Sequence, residues 1–424
     1  MIKFLLKGLI RDRARSLFPF LTVSIGVTLT VFLYSWVGGI ETDMTASAAA
    51  FSTGHVKVMS RAYAEEADQV PLDLAYIGVA SLLDDLESEY PDMIWLPRIR
   101  FGGLLDIPDE RGETRAQAPA AGMAVRLLNP QSPEKQILNL EESLTAGRLP
   151  QEPGEILISR EFSRQLGVEI GDTATLITTT MYGGMATANF TISGLVSFGV
   201  AAMDRRALIA DINDIQYALN MEDAAGEIMG YFPDMVYKAE PARETALSFN
   251  RNYNGVVDEF APAMVTLHDQ AGMSGLLDYF SSFAFIILFL FISVMSLVLW
   301  NAGLIGSLRR YREIGVRLAI GEEKGHLYRT LIGESLLIGF FGSITGTLFG
   351  LMISYYLQNH GIDISSMMQD VTMMMNTVVR ARVTWGSYVV GFVPGLLATF
   401  IGTAIAGIGI YKRSTSRLMK ELEE

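Results

Sequence analysis

The chain has 424 residues, half of them apolar, with a mean hydropathy of +0.29 and a formal charge of −13. It contains no cysteine, which excludes disulfides, thiol catalysis and lipid attachment at Cys, and its acidity speaks against a nucleic-acid partner. The apolar residues gather in four blocks, each close to the roughly 20 residues a helix needs to cross about 30 Å of hydrocarbon, so an α-helical membrane protein is predicted.

Residues 1–16 set apolar and basic residues on opposite helical faces, the pattern of an interfacial amphipathic helix. Residues 17–40 are the first transmembrane helix. A secretory signal has an apolar region of only about 7–15 residues, so this longer run is expected to be an uncleaved anchor. Residues 41–279 carry 36 Asp+Glu against 16 Lys+Arg and supply the acidity of the whole chain. They read as a large mixed α/β extracytoplasmic domain inserted between helices 1 and 2, big enough to fold on its own core. Its charge is that of a solvated surface with a weak bias toward basic ligands.

Inside this domain, 82–90 spaces apolar residues like a helix and 94–101 alternates like a strand. Turns at 147–150 and 153–154 precede a strand at 155–159, and a helix through Leu166 stops at Gly167. Gly171-Asp172 turns the chain into a strand at 173–177, and 190–196 supplies another.

Next come the second transmembrane helix (280–304), a cytoplasmic elbow with a coupling helix (305–330), the third transmembrane helix (331–357), an extracytoplasmic loop (358–384), the fourth transmembrane helix (385–411) and a cytoplasmic tail (412–424). Fifteen of the 33 Lys+Arg sit in the N-terminal tail, the elbow and the C-terminal tail. Short loops rich in positive charge stay on the cytoplasmic side, so both termini and the elbow are expected there.

The elbow has a physical logic of its own. Arg309–Glu313 and Glu313–Arg317 are i,i+4 pairs that stiffen a helical extension of the second span. Gly321 then breaks the helix, and a short helix near 322–330 is expected to lie along the membrane. Glu322 and Glu323 put carboxylates at its N-terminus, while Gly325 weakens it. Glu334 is expected to be an interfacial carboxylate held by a helix N-terminus or by Arg329. Gly342, Gly346 and Gly350 repeat every fourth residue in the third span, as do Gly391 and Gly395 in the fourth, a spacing that lets helix backbones approach closely in lipid. Tyr279, Phe280 and Phe283 cluster at the external mouth of the second span. Met367, Met368, Met373, Met374 and Met375 offer an adaptable apolar surface in the last external loop. The four histidines, His55, His268, His326 and His360, form no ligand pair.

Two stretches resemble the FtsX/MacB-like permeases of bacterial ABC transporters (type VII). One is the elbow, Arg312-Glu313-Ile314-Gly315-Val316-Arg317 with Ala319-Ile320-Gly321 and then Glu334; the other is the run from Gly147 to Ile177, which is similar to the family's periplasmic core domain. The order of spans matches across nearly the whole chain, and lipoprotein-releasing permeases are nearest in architecture. The resemblance implies a non-catalytic permease subunit of the bacterial inner membrane, paired with a second permease copy in a homodimer or heterodimer. A separate ATPase subunit would carry ATP and Mg, since no GxxxxGK[ST] loop occurs here. The chain itself is then expected to bind no cofactor and no metal. ATPase coupling would fall to Arg312, Glu313, Gly315, Arg317, Gly321, Glu322, Glu323 and His326, helix packing to the five glycines, and substrate access from membrane lipid to Tyr279, Phe280 and Phe283. Extraction of lipoproteins is the expected work. The alternatives are mechanotransmission to an extracytoplasmic partner such as a cell-wall hydrolase, and export of a peptide or small molecule.

Overall fold

The computed structural model describes residues 13–109, 111–198, 204–270, 272–363 and 378–412. In chain order the main helices are α1 (Arg13–Ala48), α2 (Val79–Glu89), α3 (Arg160–Leu166), α4 (Ile212–Leu219), α5 (Ala239–Asn252), α6 (Met273–Ala319), α7 (Lys324–His360), α8 (Trp385–Val390) and α9 (Phe392–Lys412). The strands are β1 (Val56–Ser60), β2 (Tyr76–Ile77), β3 (Ile94–Pro108), β4 (Thr114–Val125), β5 (Leu144–Gly147), β6 (Glu155–Ser159), β7 (Thr173–Thr179), β8 (Met185–Val196), β9 (Ala207–Asp211), β10 (Ala224–Ala225), β11 (Glu227–Tyr231), β12 (Pro262–Thr266), β13 (Ile362–Asp363) and β14 (Val378–Val379). The chain separates into two compact units.

Among the described residues, the first unit draws on residues 13–42, 277–363 and 378–412. Among the described residues, four helical stretches are long and apolar enough to cross a membrane: Ser16–Thr53, Met273–Asn301, Lys324–His360 and Trp385–Ala406. Within this unit Val23, Val27 and Val31 of α1 pack with Met295 and Leu299 of α6 and Ala398 of α9.

Several expected boundaries move. Helix α1 does not stop at 40 but runs to Ala48 and on through a π-helical turn, Ala49–Thr53, until Gly54 at φ 60° ends it. The alanines at 46 and 48–50 favour helix, and the Thr42 hydroxyl bonds back to the Gly38 carbonyl without breaking it. Helix α6 is unbroken across 304/305, and α7 is unbroken across 330/331, so no separate short helix exists at 322–330. Glu334 therefore lies in the interior of α7, beyond the first turn where a helix dipole acts. The fourth span is interrupted, because Pro394 has no N–H for the Val390 carbonyl and its ring crowds that turn. Helix α8 ends at Val390, and α9 begins at Phe392. Residues 1–12, 364–377 and 413–424, with the amphipathic tail, the methionine cluster and the C-terminal tail expected there, lie outside the described residues.

The second unit, Asp43–Leu276 as described, is built on a ten-stranded sheet in the order β12-β1-β11-β3-β4-β9-β6-β8-β5, with β7 pairing to β3 and β8. Strand β3 unites it: residues 94–98 pair with β11 and 99–108 with β4. The pairs β4–β9 and β6–β8 are parallel. Alternation along the strands separates two cores. Ile156, Ile158 and Leu208 face the larger one, with Ile99, Phe101 and Leu105. Leu157 and Ile209 face the smaller, with Met123, Val125 and Leu127. The helix predicted to end at Leu166 is α3, capped by the Ser159 hydroxyl accepting from Phe162 N–H at 3.0 Å and ended by Gly167 at φ 64°.

A charged network is sealed in this unit. Arg98 and Glu134 are both fully buried and joined through Nε–Oε1 at 3.0 Å and Nη2–Oε2 at 2.7 Å. Arg98 Nη1 also donates to the Ala50 carbonyl, and the Tyr231 hydroxyl donates at 3.0 Å to the Ala49 carbonyl, which accepts from Gly54 N–H as well, so side chains of β3 and β11 tie down the π turn. Burial opposes the Arg98 charge, but the Glu134 carboxylate holds the guanidinium above its ordinary range. Next to this pair, Glu227 accepts from Lys57 at 3.0 Å and from Arg100 at 2.6 Å.

Candidate coupling turn and helix-packing site

Helix α6 closes with a Schellman arrangement. The Glu322 N–H donates to the Arg317 carbonyl at 3.0 Å across Gly321, whose φ of 101° suits a residue without Cβ. Helix α7 begins three residues later with Glu323 at its N-cap. The Glu323 carbonyl accepts from His326 N–H at 3.0 Å and Leu327 N–H at 3.2 Å, and its side chain makes no capping bond. The Glu322 carboxylate lies 3.9 Å from His326 Nε2. Two long helices thus reverse direction through four residues with carboxylates at the new helix start, where the dipole favours them. The turn is fastened by Leu327, which is buried, and by the Tyr328 hydroxyl, which donates to the Ala404 carbonyl of α9 at 3.2 Å.

The structure brings Arg317, Gly321, Glu322, Glu323 and His326 together at this turn. Arg312, Glu313 and Gly315 lie one to two turns back along α6, and their side chains fall outside the described residues.

The glycines cluster. A Cβ on Gly342 would meet Val23 Cγ1 at 2.8 Å, one on Gly346 the Ser24 carbonyl at 2.6 Å and Val27 Cβ at 2.7 Å, and one on Gly350 Val31 Cβ at 2.7 Å. Valines every fourth residue on α1 therefore fill the glycine groove of α7. On the other side of the same valines, a Cβ at Gly391 would touch Thr347 Oγ1 at 2.7 Å and Val27 Cγ1 at 2.8 Å, and one at Gly395 would overlap the Ser343 hydroxyl at 2.0 Å. The close approach is stitched by hydroxyls: Ser24 and Thr345 at 2.8 Å, Thr28 to the Gly346 carbonyl at 3.2 Å, and Ser35 to Ser387 at 3.0 Å.

Tyr279 and Phe283 stack on α6 with ring centroids 6.2 Å apart, and Phe280 meets Tyr279 edge-on at 6.1 Å. Tyr279 is 63% and Phe283 41% exposed, and the apolar face continues through Phe285, Ile286 and Phe289. Sequence reasoning found this stripe and the turn, but missed a cleft of about 1060 Å³ in the α/β unit. Its one sequence mark is the Gly102-Gly103 pair inside a strand.

A model of the FtsX-like permease C-terminal domain matches residues 285–415, which take in most of α6, the turn, α7 and the fourth span. Lipoprotein-releasing system transmembrane proteins LolC from Xylella fastidiosa strains 9a5c and Temecula1 are each 24% identical over 233 residues, covering 53% of this chain and 54% of the relative. The matched region thus spans about half the length of these curated relatives. Among solved structures, the periplasmic region of MacB from Actinobacillus actinomycetemcomitans aligns with a TM-score of 0.35 at 12% identity, covering 52% of this chain and 92% of that one. The C-terminal part of this chain therefore matches the FtsX-like permease C-terminal domain, and about half of the chain is similar to LolC transmembrane proteins.

Proposed function

We propose that this permease transmits ATP hydrolysis by a separate ATPase subunit into movement of its α/β domain, and that its cargo is lipoproteins released from the inner membrane. The observation that carries the reading is the turn between α6 and α7. Helix α6 runs without a break from Met273 to Ala319, which makes a stiff lever, and the lever ends in a four-residue reversal inside the segment that matches the permease domain. The positive-inside distribution puts this turn, with both termini, in the cytoplasm and the α/β domain outside. Arg317, Glu322, Glu323 and His326 then form the surface a nucleotide hydrolase would grip, with Gly321 setting its angle and Arg312, Glu313 and Gly315 extending it. The exposed apolar face of α6 suits a second permease copy, and Tyr279, Phe280 and Phe283 suit a lipid-borne cargo. The LolC relatives are lipoprotein-releasing system transmembrane proteins, which favours that cargo over the other substrates.

Affinity purification of the full chain tests the proposal. An ATPase and lipidated cargo are expected to co-purify, and Arg317→Glu combined with Glu322→Lys should remove the ATPase while leaving the chain folded. An ATPase that resists the charge reversal would overturn the assigned coupling surface. Recovery of a cell-wall hydrolase in place of lipidated cargo would overturn lipoprotein release in favour of mechanotransmission.

A further inference from the structure

The cleft in the α/β unit has a construction that the permease role does not explain. Strand pairing aligns Gly102 of β3, Ala121 of β4 and Ala207 of β9 in one row across three strands, a distance of about 10 Å from first strand to third. The neighbouring row is Arg100, Met123 and Ile209. The smallest side chains available thus cut a trench through the sheet face. Gly102 is the key position. Its backbone is not in the left-handed region, and a Cβ there would meet nothing within 4 Å, so neither the fold nor the packing demands glycine. Glycine in a strand interior costs stability, and one common reason for it is the close approach of a ligand.

The walls are apolar and adaptable. Phe51 and Phe198 meet edge-on at 5.3 Å against the smaller core at one end, and Met181 and Tyr182 of the β7–β8 hairpin line the cleft as well. Its volume of about 1060 Å³ stands at the upper end of the range for small-molecule sites, roughly 300–1,000 Å³. Charge supplies the second observation. Two guanidinium groups, Arg100 and Arg206, line the cleft against one carboxylate, Asp73, in a segment where acids outnumber bases 36 to 16. Arg100 is also the part-exposed edge of the buried network, which sets Lys57, Arg98 and Arg100 against Glu134 and Glu227 and is one positive charge in excess by formal count.

We propose that this cleft binds an anionic amphiphile, with a single apolar chain laid over the bare backbone at Gly102 and its anionic group held by the guanidinium groups of Arg100 and Arg206. Charge-assisted bonds to a guanidinium fix the head, and the trench excludes water from the chain. The site is independent of the cargo carried by the spans.

The full chain in nanodiscs of zwitterionic phosphatidylcholine, labelled with a photoactivatable palmitate, tests this. Cross-links are expected on peptides holding residues 100–123 and 179–183. Gly102→Phe, whose Cβ would meet nothing within 4 Å and whose ring would occupy the trench, should lower that labelling about tenfold, and Arg206→Ala, on an exposed turn, should weaken it about five- to tenfold. Unlabelled palmitate and lysophosphatidylglycerol should compete. Displacement by palmitate alone assigns a free acid, and displacement by the lysolipid as well assigns a lipid headgroup. Hexadecanol competing as well as palmitate would overturn the anionic character. Labelling confined to the spans, or labelling in the cleft unchanged by both substitutions, would overturn the site. Should Gly102→Phe fail to fold, Arg206→Ala and the competition series still decide.

Discussion

His55 shows how one side chain ties the pH response of the α/β unit to its geometry. It is 1% exposed. Its backbone bridges β11 and the segment after β12, with N–H to the Gly230 carbonyl at 2.9 Å and carbonyl to Leu267 N–H at 3.1 Å. Its Nδ1 accepts from Phe232 N–H at 3.0 Å, so the ring must stay neutral at that nitrogen. Burial pushes its pKa from 6.5 down to about 4, with Asp234 only partly opposing. Between about 4 and 6.5 the unfolded chain holds a proton that the folded chain lacks, so acid favours unfolding in that window. The contribution is complete above 6.5 and lost as pH falls toward about 4, and it amounts to roughly 3 kcal/mol over the window. His55→Asn keeps an acceptor near the Nδ1 position and removes the titration. Thermal unfolding followed by intrinsic fluorescence at pH 7 and pH 4.5 should show a smaller acid shift for the variant than for the parent chain. An equal shift would mean that the acid response comes from other groups. The sequence singled out His55 only as one of four scattered histidines, because the strands that enclose it come from residues 170 and more positions away.

At the scale of elements, the glycine ladder and the turn between α6 and α7 were legible for different reasons. A period of four puts Gly342, Gly346 and Gly350 on one helical face whatever the partner, so a packing face was readable, but nothing in the local pattern said that Val23, Val27 and Val31 would fill it. The break at Gly321 was readable because positive φ is cheap for glycine alone. The continuity of α7 was not, since a hydropathy window ends where polarity rises, whereas a helix ends only where hydrogen bonding or a cap fails. Gly325 weakens the first turn without stopping it, and Leu327 and Tyr328 hold that turn by tertiary contact. The ladder leads to a direct prediction. Gly346→Ala places a methyl 2.6 Å from the Ser24 carbonyl and 2.7 Å from Val27 Cβ, an overpacking that typically costs about 1–3 kcal/mol. The variant should melt lower and lose its monodisperse peak in detergent, while Gly38→Ala, whose Cβ meets nothing within 4 Å, should behave like the parent. Val27→Ala in the Gly346→Ala background should recover only part of the loss, because the Ser24 carbonyl is backbone and cannot be trimmed. Equal stability of the two alanine variants would show that the helices slide apart at no cost.

For the whole molecule, composition was enough to separate a membrane-spanning part from an acidic α/β part, because each must satisfy a different solvent. The cleft escaped notice because its floor joins residues 102, 121 and 207, which the antiparallel pairing of β3 with β4 and the parallel pairing of β4 with β9 together bring into one row. Sidedness remains the property on which the coupling proposal turns, and the cysteine-free sequence makes it directly measurable. Ile320, at the reversal between α6 and α7, is 81% exposed, and Val257, in the α/β unit, is fully exposed. Neither makes a core contact, so a single cysteine at either position should leave the fold intact. With the positive-inside arrangement, Val257→Cys should react with a membrane-impermeant maleimide in intact spheroplasts, and Ile320→Cys should react only after the membrane is permeabilised. The reverse pattern would place the turn outside, where no nucleotide hydrolase can reach it, and the lever of α6 would have nothing to drive it. Reaction of both residues in intact spheroplasts would mean an even number of crossings between them, contradicting α6 as a complete span. The expected asymmetry therefore tests both the crossing of α6 and the side from which it is pushed.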